Sequence, residues 1–332
     1  MITQTKRDQP TRYFRLNPTV SLGELEDAVV AVYGPSVIKI DGDNVLPFVA
    51  SLVHALRNVD QVTLADLSQQ TGSPAEDLLP VLEMLVQAKM LVTSTEPMNV
   101  QGVLASLRTG EQIDQSEIDS RIQSDWVQVC ASPTNKLAEL ITDLLRKQGL
   151  SVRTIEGDEP GQPSALRLVI GSTHLDGLLT TSNSFALEAG TPWLPVVPYD
   201  GDTAWVGPFV VPHQSACLTC FNTRRSANFS DDVMRPLLPT IQPLEPVVSH
   251  TVVTPIDIIQ AGIVTNFAFE YITLRDYAPS CMPGGLTTVT VNDRGVSMDT
   301  RRVYRVPRCR DCSPVADTGF PQVWFHQDEV QP

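Results

Sequence analysis

Apolar residues recur three and four positions apart at Leu46, Val49, Leu52, Val53 and Leu56, which puts them on one helical face. Residues 63–72 read as a shorter helix with Thr63 as its cap and Gly72 as its stop. A third helix is expected over 75–89. Ser73-Pro74 opens it, Glu76 lies in its first turn, and Leu78, Leu79, Leu82, Leu85 and Val86 make its buried stripe. Ahead of the helices, residues 11–16 and 27–33 have strand character, and Gly34-Pro35 turns the chain into a further strand over 36–40. The pattern predicts a winged helix with a helix-turn-helix, spanning 1–96.

Residues 97–124 are polar with scattered apolar positions and are expected to be an irregular connector. From Trp126 the period changes. Residues 127–130, 150–154, 166–171 and 192–197 read as strands, separated by helices over 136–148 and around 184–189. That alternation predicts a doubly wound α/β domain over 125–315 with a parallel sheet. A long helix over 255–274 follows. Residues 287–291 and 303–306 are expected to form an antiparallel hairpin turned at Asn292-Asp293-Arg294-Gly295, and 316–332 a C-terminal tail.

The chain has 332 residues and 42% apolar content, enough for two sizeable cores. No run approaches the roughly 20 apolar residues of a membrane span. The first residues lack the apolar centre of a secretory signal, so a cytoplasmic location is expected. A formal charge of −14 repels nucleic acid and anionic membrane at long range. The helix-turn-helix could bind DNA, serve as architecture only, or bind a peptide. Its third helix begins Ala75-Glu76-Asp77, and carboxylates facing phosphates argue against DNA. A peptide groove fits better. Ser36, Val37, Ile38, Lys39 and Ile40 would offer an edge strand for an added strand, with Leu78, Leu82 and Leu85 lining the gap to the helix. Arg12, Arg15 and Lys39 lie near it in sequence and would favour an acidic peptide.

Two Cys-x-x-Cys pairs carry the clearest chemistry: Cys217-Leu-Thr-Cys220 and Cys309-Arg-Asp-Cys312. Each sets two thiolates on one turn, and the four together make a closed, tetrahedral zinc site of structural type. Disulfides or a redox dithiol are the alternatives. They suit a reducing compartment poorly. Cys130 and Cys281 read as buried, inert thiols. The five histidines show no metal spacing, although His213 lies four residues before Cys217. The polar run Asn222, Arg224, Arg225 and Asn228 reads as solvated surface or a partner contact.

The turn after the first α/β strand, Cys130-Ala131-Ser132-Pro133-Thr134-Asn135, contains no glycine. The backbone there cannot approach a pyrophosphate as a glycine-rich loop does, which speaks against ATP and dinucleotides. Ser132 and Thr134 are expected to cap the helix that follows.

The block from Trp193-Leu194-Pro195-Val196 through Val206-Gly207-Pro208-Phe209-Val210-Val211-Pro212, together with the two Cys-x-x-Cys pairs, resembles ThiF-like, ubiquitin-activating-enzyme-like proteins. The likeness is to the branch found with azole-containing ribosomal peptides, and the N-terminal module resembles the leader-recognition element fused to it. The resemblance implies a homodimeric, non-catalytic partner of a YcaO-type cyclodehydratase. Such a partner binds the leader of a precursor peptide while the YcaO enzyme closes Cys, Ser or Thr side chains onto the backbone with ATP. Adenylating ThiF-type relatives, which activate a peptide carboxylate with ATP, are the alternative. Asp176, in Gly171-Ser172-Thr173-His174-Leu175-Asp176, corresponds to the Asp that serves their metal-nucleotide.

Overall fold

The computed structural model describes residues 11–26, 28–42, 45–57, 61–109, 114–156, 164–228 and 252–313. The chain divides into two compact units, 1–120 and 121–332. The expected tail over 316–332 lies outside the described residues.

The first unit holds β1 (Tyr13–Leu16), β2 (Ser21–Leu25), β3 (Ala28–Tyr33), β4 (Ser36–Ile40), α1 (Val45–Arg57), β5 (Val62–Thr63), α2 (Leu64–Thr71), α3 (Ala75–Gln87) and β6 (Leu91–Ser94). Strands β5, β1 and β6 make one antiparallel sheet; β2, β3 and β4 make a second, with β4 at its edge. Phe14, Leu52, Leu67, Leu78, Leu82 and Leu85 are fully buried in the core that joins sheets and helices. A reciprocal capping box fixes the start of α2: Asp66 N–H donates to Thr63 Oγ1 at 3.2 Å, and Thr63 N–H donates to Asp66 at 2.9 Å. Gly72 closes the helix with φ +70°, a conformation other residues adopt only under strain. Strand β2 escapes the sequence pattern because it is mostly exposed and shows no apolar alternation.

The expected irregular connector contains two helices, α4 (Val100–Thr109) and α5 (Gln115–Ser124). Val103 and Ile118 anchor them and are fully buried, but their neighbours are polar enough to read as loop.

The second unit is a seven-stranded mixed sheet ordered β13-β12-β11-β10-β9-β7-β8. Its strands are β7 (Trp126–Ala131), β8 (Ser151–Glu156), β9 (Leu166–Ile170), β10 (Trp193–Val197), β11 (Thr203–Val206), β12 (Gly285–Asn292) and β13 (Gly295–Arg302). Strands β8, β7, β9 and β10 run parallel, as the alternation predicts, and β11 to β13 continue antiparallel. β9 and β10 are buried at every position and β7 from Val127 on, the mark of central strands covered on both faces. Val127 and Val129 pack on one face with α6 (Lys136–Lys147) and α9 (Pro255–Leu274). Cys130 and Val169 pack on the other with α7 (Gly177–Ala189) and α8 (Leu218–Ala227). Gln260 of α9 is fully buried and ties β10 to β11, its amide donating to the carbonyls of Val197 at 2.8 Å and Trp205 at 3.0 Å.

Two local expectations need correction. The partner of the hairpin strand is Gly295–Arg302, not 303–306, although the turn is where it was expected. Every residue of β13 is exposed and so carries no burial pattern, while Val303 and Val306 pack against the cysteine cluster. The cap of α6 is Asn135, whose Oδ1 accepts from Ala138 N–H at 3.1 Å; Ser132 and Thr134 do not cap it. In the Val206-Gly207-Pro208 motif, Gly207 has φ +108°, and a Cβ there would collide with the Gly285 carbonyl. The motif is thus a close passage of one strand over another. No helix of the described residues is long and apolar enough to cross a membrane.

Candidate metal centre and peptide groove

Cys217 is the N-cap of α8, so the first helical turn brings Cys220 beneath it, with the two sulfurs 3.8 Å apart. After β13 the chain returns, and a tight turn in which Ser313 N–H donates to the Cys309 carbonyl at 2.9 Å presents Cys309 and Cys312. Cys309 Sγ lies 3.6 Å from Cys217 Sγ, and Cys312 Sγ 3.5 Å from Cys220 Sγ. All four sulfurs are within 4.8 Å of one another, all four residues are buried, and the group could hold a metal ion. His213 is not part of it.

Within the cluster one sulfur, that of Cys220, is favoured as thiolate. The Cys217 thiol donates to Cys220 and Val306 N–H lies 3.3 Å from the same sulfur, which pulls Cys220 down to about 4. Cys217, as donor, is pushed up, and burial takes Cys312 to about 11. Without a cation, burial thus opposes further ionisation. Arginines brace the turns. Arg224 donates to the carbonyls of Tyr304 at 2.7 Å and Arg305 at 2.9 Å; Arg305 donates to those of Cys312 at 2.6 Å and His213 at 3.1 Å. Arg224 is exposed, as expected of that polar run, and its guanidinium also serves as a strut between α8 and the last loop. Cys130 and Cys281 are buried, and desolvation lifts them to about 11 and about 12, as suits inert thiols.

In the first unit, a groove of about 560 Å3 runs between β4 and α3. Ile38, Lys39, Ile40, Leu78 and Leu85 of the expected set line it. Leu82 is fully buried in the core and does not, and Ser36 and Val37 are exposed beyond it. Phe48, Val81 and Met84 complete its apolar wall; they lie on α1 and α3 at positions that sequence spacing cannot aim at a particular strand. β3 and β4 are joined by the two-residue loop Gly34-Pro35, whose closing pair is Tyr33–Ser36. In such a hairpin the closing pair exchanges its hydrogen bonds, so Ser36, Ile38 and Ile40 donate inward while Val37 and Lys39 turn their N–H groups to the open edge. The three nearby cations have partners of their own. Arg12 pairs with Glu83 at 3.1 Å, Lys39 with Asp41 at 2.9 Å, and Arg15 donates to the Met98 carbonyl at 2.7 Å. Asp41 and Asp77 line the groove as well, so it carries no surplus positive charge.

The order β8-β7-β9-β10 puts the reversal of strand order between β7 and β9, the place where open α/β sheets bind ligands. Beside the turn after β7 lies a cavity of about 300 Å3 lined by Ser132, Pro133, Glu139, Asp143, Arg146 and Glu156, among others. Three carboxylates face one guanidinium there; Lys136 and Lys147, which pair with Glu139 and Asp143 at 2.8 and 2.6 Å, do not line it. After β9, both oxygens of Asp176 are occupied, accepting from Ser172 N–H at 2.7 Å and Leu178 N–H at 3.0 Å. Asp176 caps α7.

One constellation was not legible in the sequence. His174 Nε2 sits 3.4 Å from Asp200 Oδ2, and its ring meets Trp205 edge-on at 4.5 Å. Burial, then the nearby charge of Arg225, lowers its pKa to about 4, against the opposing pull of Asp200. His174 and Asp200 come from two loops, Trp205 from β11 and Arg225 from α8, and no spacing links His174 to the other three.

The chain matches no family model and no curated protein. Solved structures are similar to it in fold. A heterocyclase in complex with substrate and cofactor superposes with a TM-score of 0.63 at 19% identity, over 92% of this chain and 40% of its own. The heterocyclase TruD gives 0.61 at 18%, over 92% and 43%. E. coli MccB with ATP gives 0.58 at 12%, over 90% and 99%. The fold is ThiF-like. This chain thus spans about two fifths of the length of the heterocyclases it matches, and nearly the whole of MccB.

Proposed function

We propose that the chain binds the leader of a ribosomally made precursor peptide and presents it to a separate YcaO-type cyclodehydratase for azoline formation at Cys, Ser or Thr. The observation that carries this reading is the apolar groove along an unpaired edge strand, which can take an extended peptide as a fourth strand. In this reading residues 1–96 are a winged-helix recognition module, 97–124 a connector, 125–315 the ThiF-like domain and 316–332 a tail. The protein works in the cytoplasm as a homodimer. The enzyme that completes the reaction supplies what the matched heterocyclases carry in the rest of their length.

The four cysteines fit zinc. Metal–sulfur bonds of about 2.3 Å in a tetrahedron set sulfur–sulfur edges near 3.8 Å; the measured contacts of 3.5 to 3.8 Å need little change. Four protein ligands leave no open position, so the ion is structural.

Adenylation is the second reading, favoured only by the likeness to MccB with ATP. The acid-lined cavity after β7 and the capped state of Asp176 weigh against it.

Fluorescence polarisation with the cognate leader peptide tests the proposal. Lys39→Pro removes an outward donor and should weaken binding about tenfold or more, the scale of a lost ladder bond plus its displaced neighbours. Lys39→Ala should bind nearly as wild type. Equal affinity of both would place the leader elsewhere. Ile38→Pro is unsuitable, because Ile38 donates within the hairpin and its loss disrupts the sheet itself.

A further inference from the structure

A third cavity, of about 820 Å3, lies in the second unit beside the cysteine cluster. Its walls are the loop after β9, α8 and the residues around Cys309. Arg225, Arg308 and Arg310 line it, and no carboxylate does among the described residues. In a chain of net charge −14 this is a local reversal of the field, which concave walls concentrate. Neutral His174, with its pKa near 4, adds no charge there at pH 7. Asp311 lies just outside the lining, 3.3 Å from Arg310, but is anchored by Thr219 and by Asn183 at 3.2 Å.

Two of the three cations owe their positions to the cluster. Arg308 and Arg310 flank Cys309, whose sulfur is locked against Cys217 at the head of α8. Arg308 also holds a backbone φ of +56°, a left-handed conformation that a non-glycine residue adopts at a cost. It has no hydrogen-bond or ion-pair partner among the described residues. Arg308 is exposed at this cation-lined cavity, and no carboxylate of the described residues pairs with it, so its guanidinium is open to an anionic ligand.

The chemistry of that ligand can be narrowed. Phosphate sites commonly join such cations to converging backbone N–H groups. Here the amides at the start of α7 are taken by Asp176, and that of Leu218 at the start of α8 donates to Asn183 at 3.0 Å. What is left is guanidinium groups on separate elements, interspersed with the hydroxyl of Thr223, the amide of Asn222 and the apolar Leu175. Such a wall matches carboxylates carried on successive side chains of an extended peptide. We propose that this cavity is a docking site for an acidic peptide segment of a protein partner, with Arg308 and Arg310 pairing its Asp or Glu side chains.

The test is fluorescence polarisation of the full chain with a labelled octapeptide of alternating Glu and Ala, beside its Gln-for-Glu twin. The Glu peptide should bind saturably and weaken about tenfold when NaCl rises from about 50 to about 300 mM, as screened ion pairs do. The Arg308→Gln/Arg310→Gln variant should lose at least about tenfold in affinity, with unchanged metal content and melting temperature, since both side chains are exposed. Equal binding of the Gln twin, or an unaffected double variant, overturns the proposal. So does full displacement by millimolar inorganic phosphate, which would make the cavity a phosphate site.

Discussion

His174 is a neutral histidine held beside a carboxylate. That pairing usually raises a histidine's pKa. Here burial and the charge of Arg225 outweigh Asp200, and the value falls from 6.5 to about 4. Asp200 is itself held below the usual carboxylate range: burial works against it, but N–H groups of Thr203 and Asp202 and the nearby His174 win. The sign of the pH effect follows. A histidine whose folded pKa lies below its unfolded one binds its proton more readily in the unfolded chain, so stability is full above about pH 6.5 and drains away towards pH 4. The Asp200 carboxylate acts in the same direction at the acid end. His174→Gln should melt lower at pH 7, because the edge-on contact with Trp205 is lost, yet change less between pH 6.5 and 4. Thermal melts of the two proteins across that range decide it; parallel curves would mean His174 does not titrate as argued.

At the scale of elements, what could be read from the sequence depended on burial and on locality. The parallel strands were legible because β7, β9 and β10 are nearly continuous apolar runs, and α9 because Thr254, Pro255 and Asp257 spell a capped start. β2 and β13 were not, since both are exposed and neither carries the β-branched run (Val37-Ile38 in β4, Val152 to Ile155 in β8) that marked the largely exposed β4 and β8. The cysteine set was legible because its spacing is local within each pair, whereas the long-range approach of Arg224 and Arg305 to carbonyls of the last loop has no sequence signature. That approach makes α8 and residues 304–312 one mechanical element with the cysteine cluster at its centre. Cys220→Ser removes the sulfur that accepts from both Cys217 and Val306. It should therefore reduce bound zinc below about half an equivalent and speed amide exchange in α8 and 304–312 together, with the first unit unaffected. Full metal content in the variant, or protection lost in only one of the two segments, would contradict the coupling.

For the molecule as a whole, the question is whether a fold shared with E. coli MccB with ATP carries nucleotide chemistry in this chain. Likeness of fold does not decide it, because function resides in the site. A triphosphate needs converging N–H donors and a field that favours negative charge. At the reversal of strand order, Asn135 takes the Ala138 N–H, Asp176 takes those of Ser172 and Leu178, and the cavity wall presents Glu139, Asp143 and Glu156 against Arg146. These donors are already used, and the wall of the cavity sets three carboxylates against one guanidinium, although Glu139 and Asp143 are paired with Lys136 and Lys147 outside it. The purified chain, with the leader-bearing precursor peptide present, should accordingly give no ATP–pyrophosphate exchange and no AMP. Adding a YcaO-type enzyme should restore ATP consumption, and the ADP or AMP formed should follow the enzyme added rather than this chain. The control is a charge-reversed variant, Glu139→Lys/Glu156→Lys, which should raise ATP affinity measured by calorimetry without producing exchange, since no residue is placed to hold the reacting phosphate. Exchange by the wild-type chain alone would show that a different set of donors assembles around the nucleotide, and would return the protein to the adenylating class.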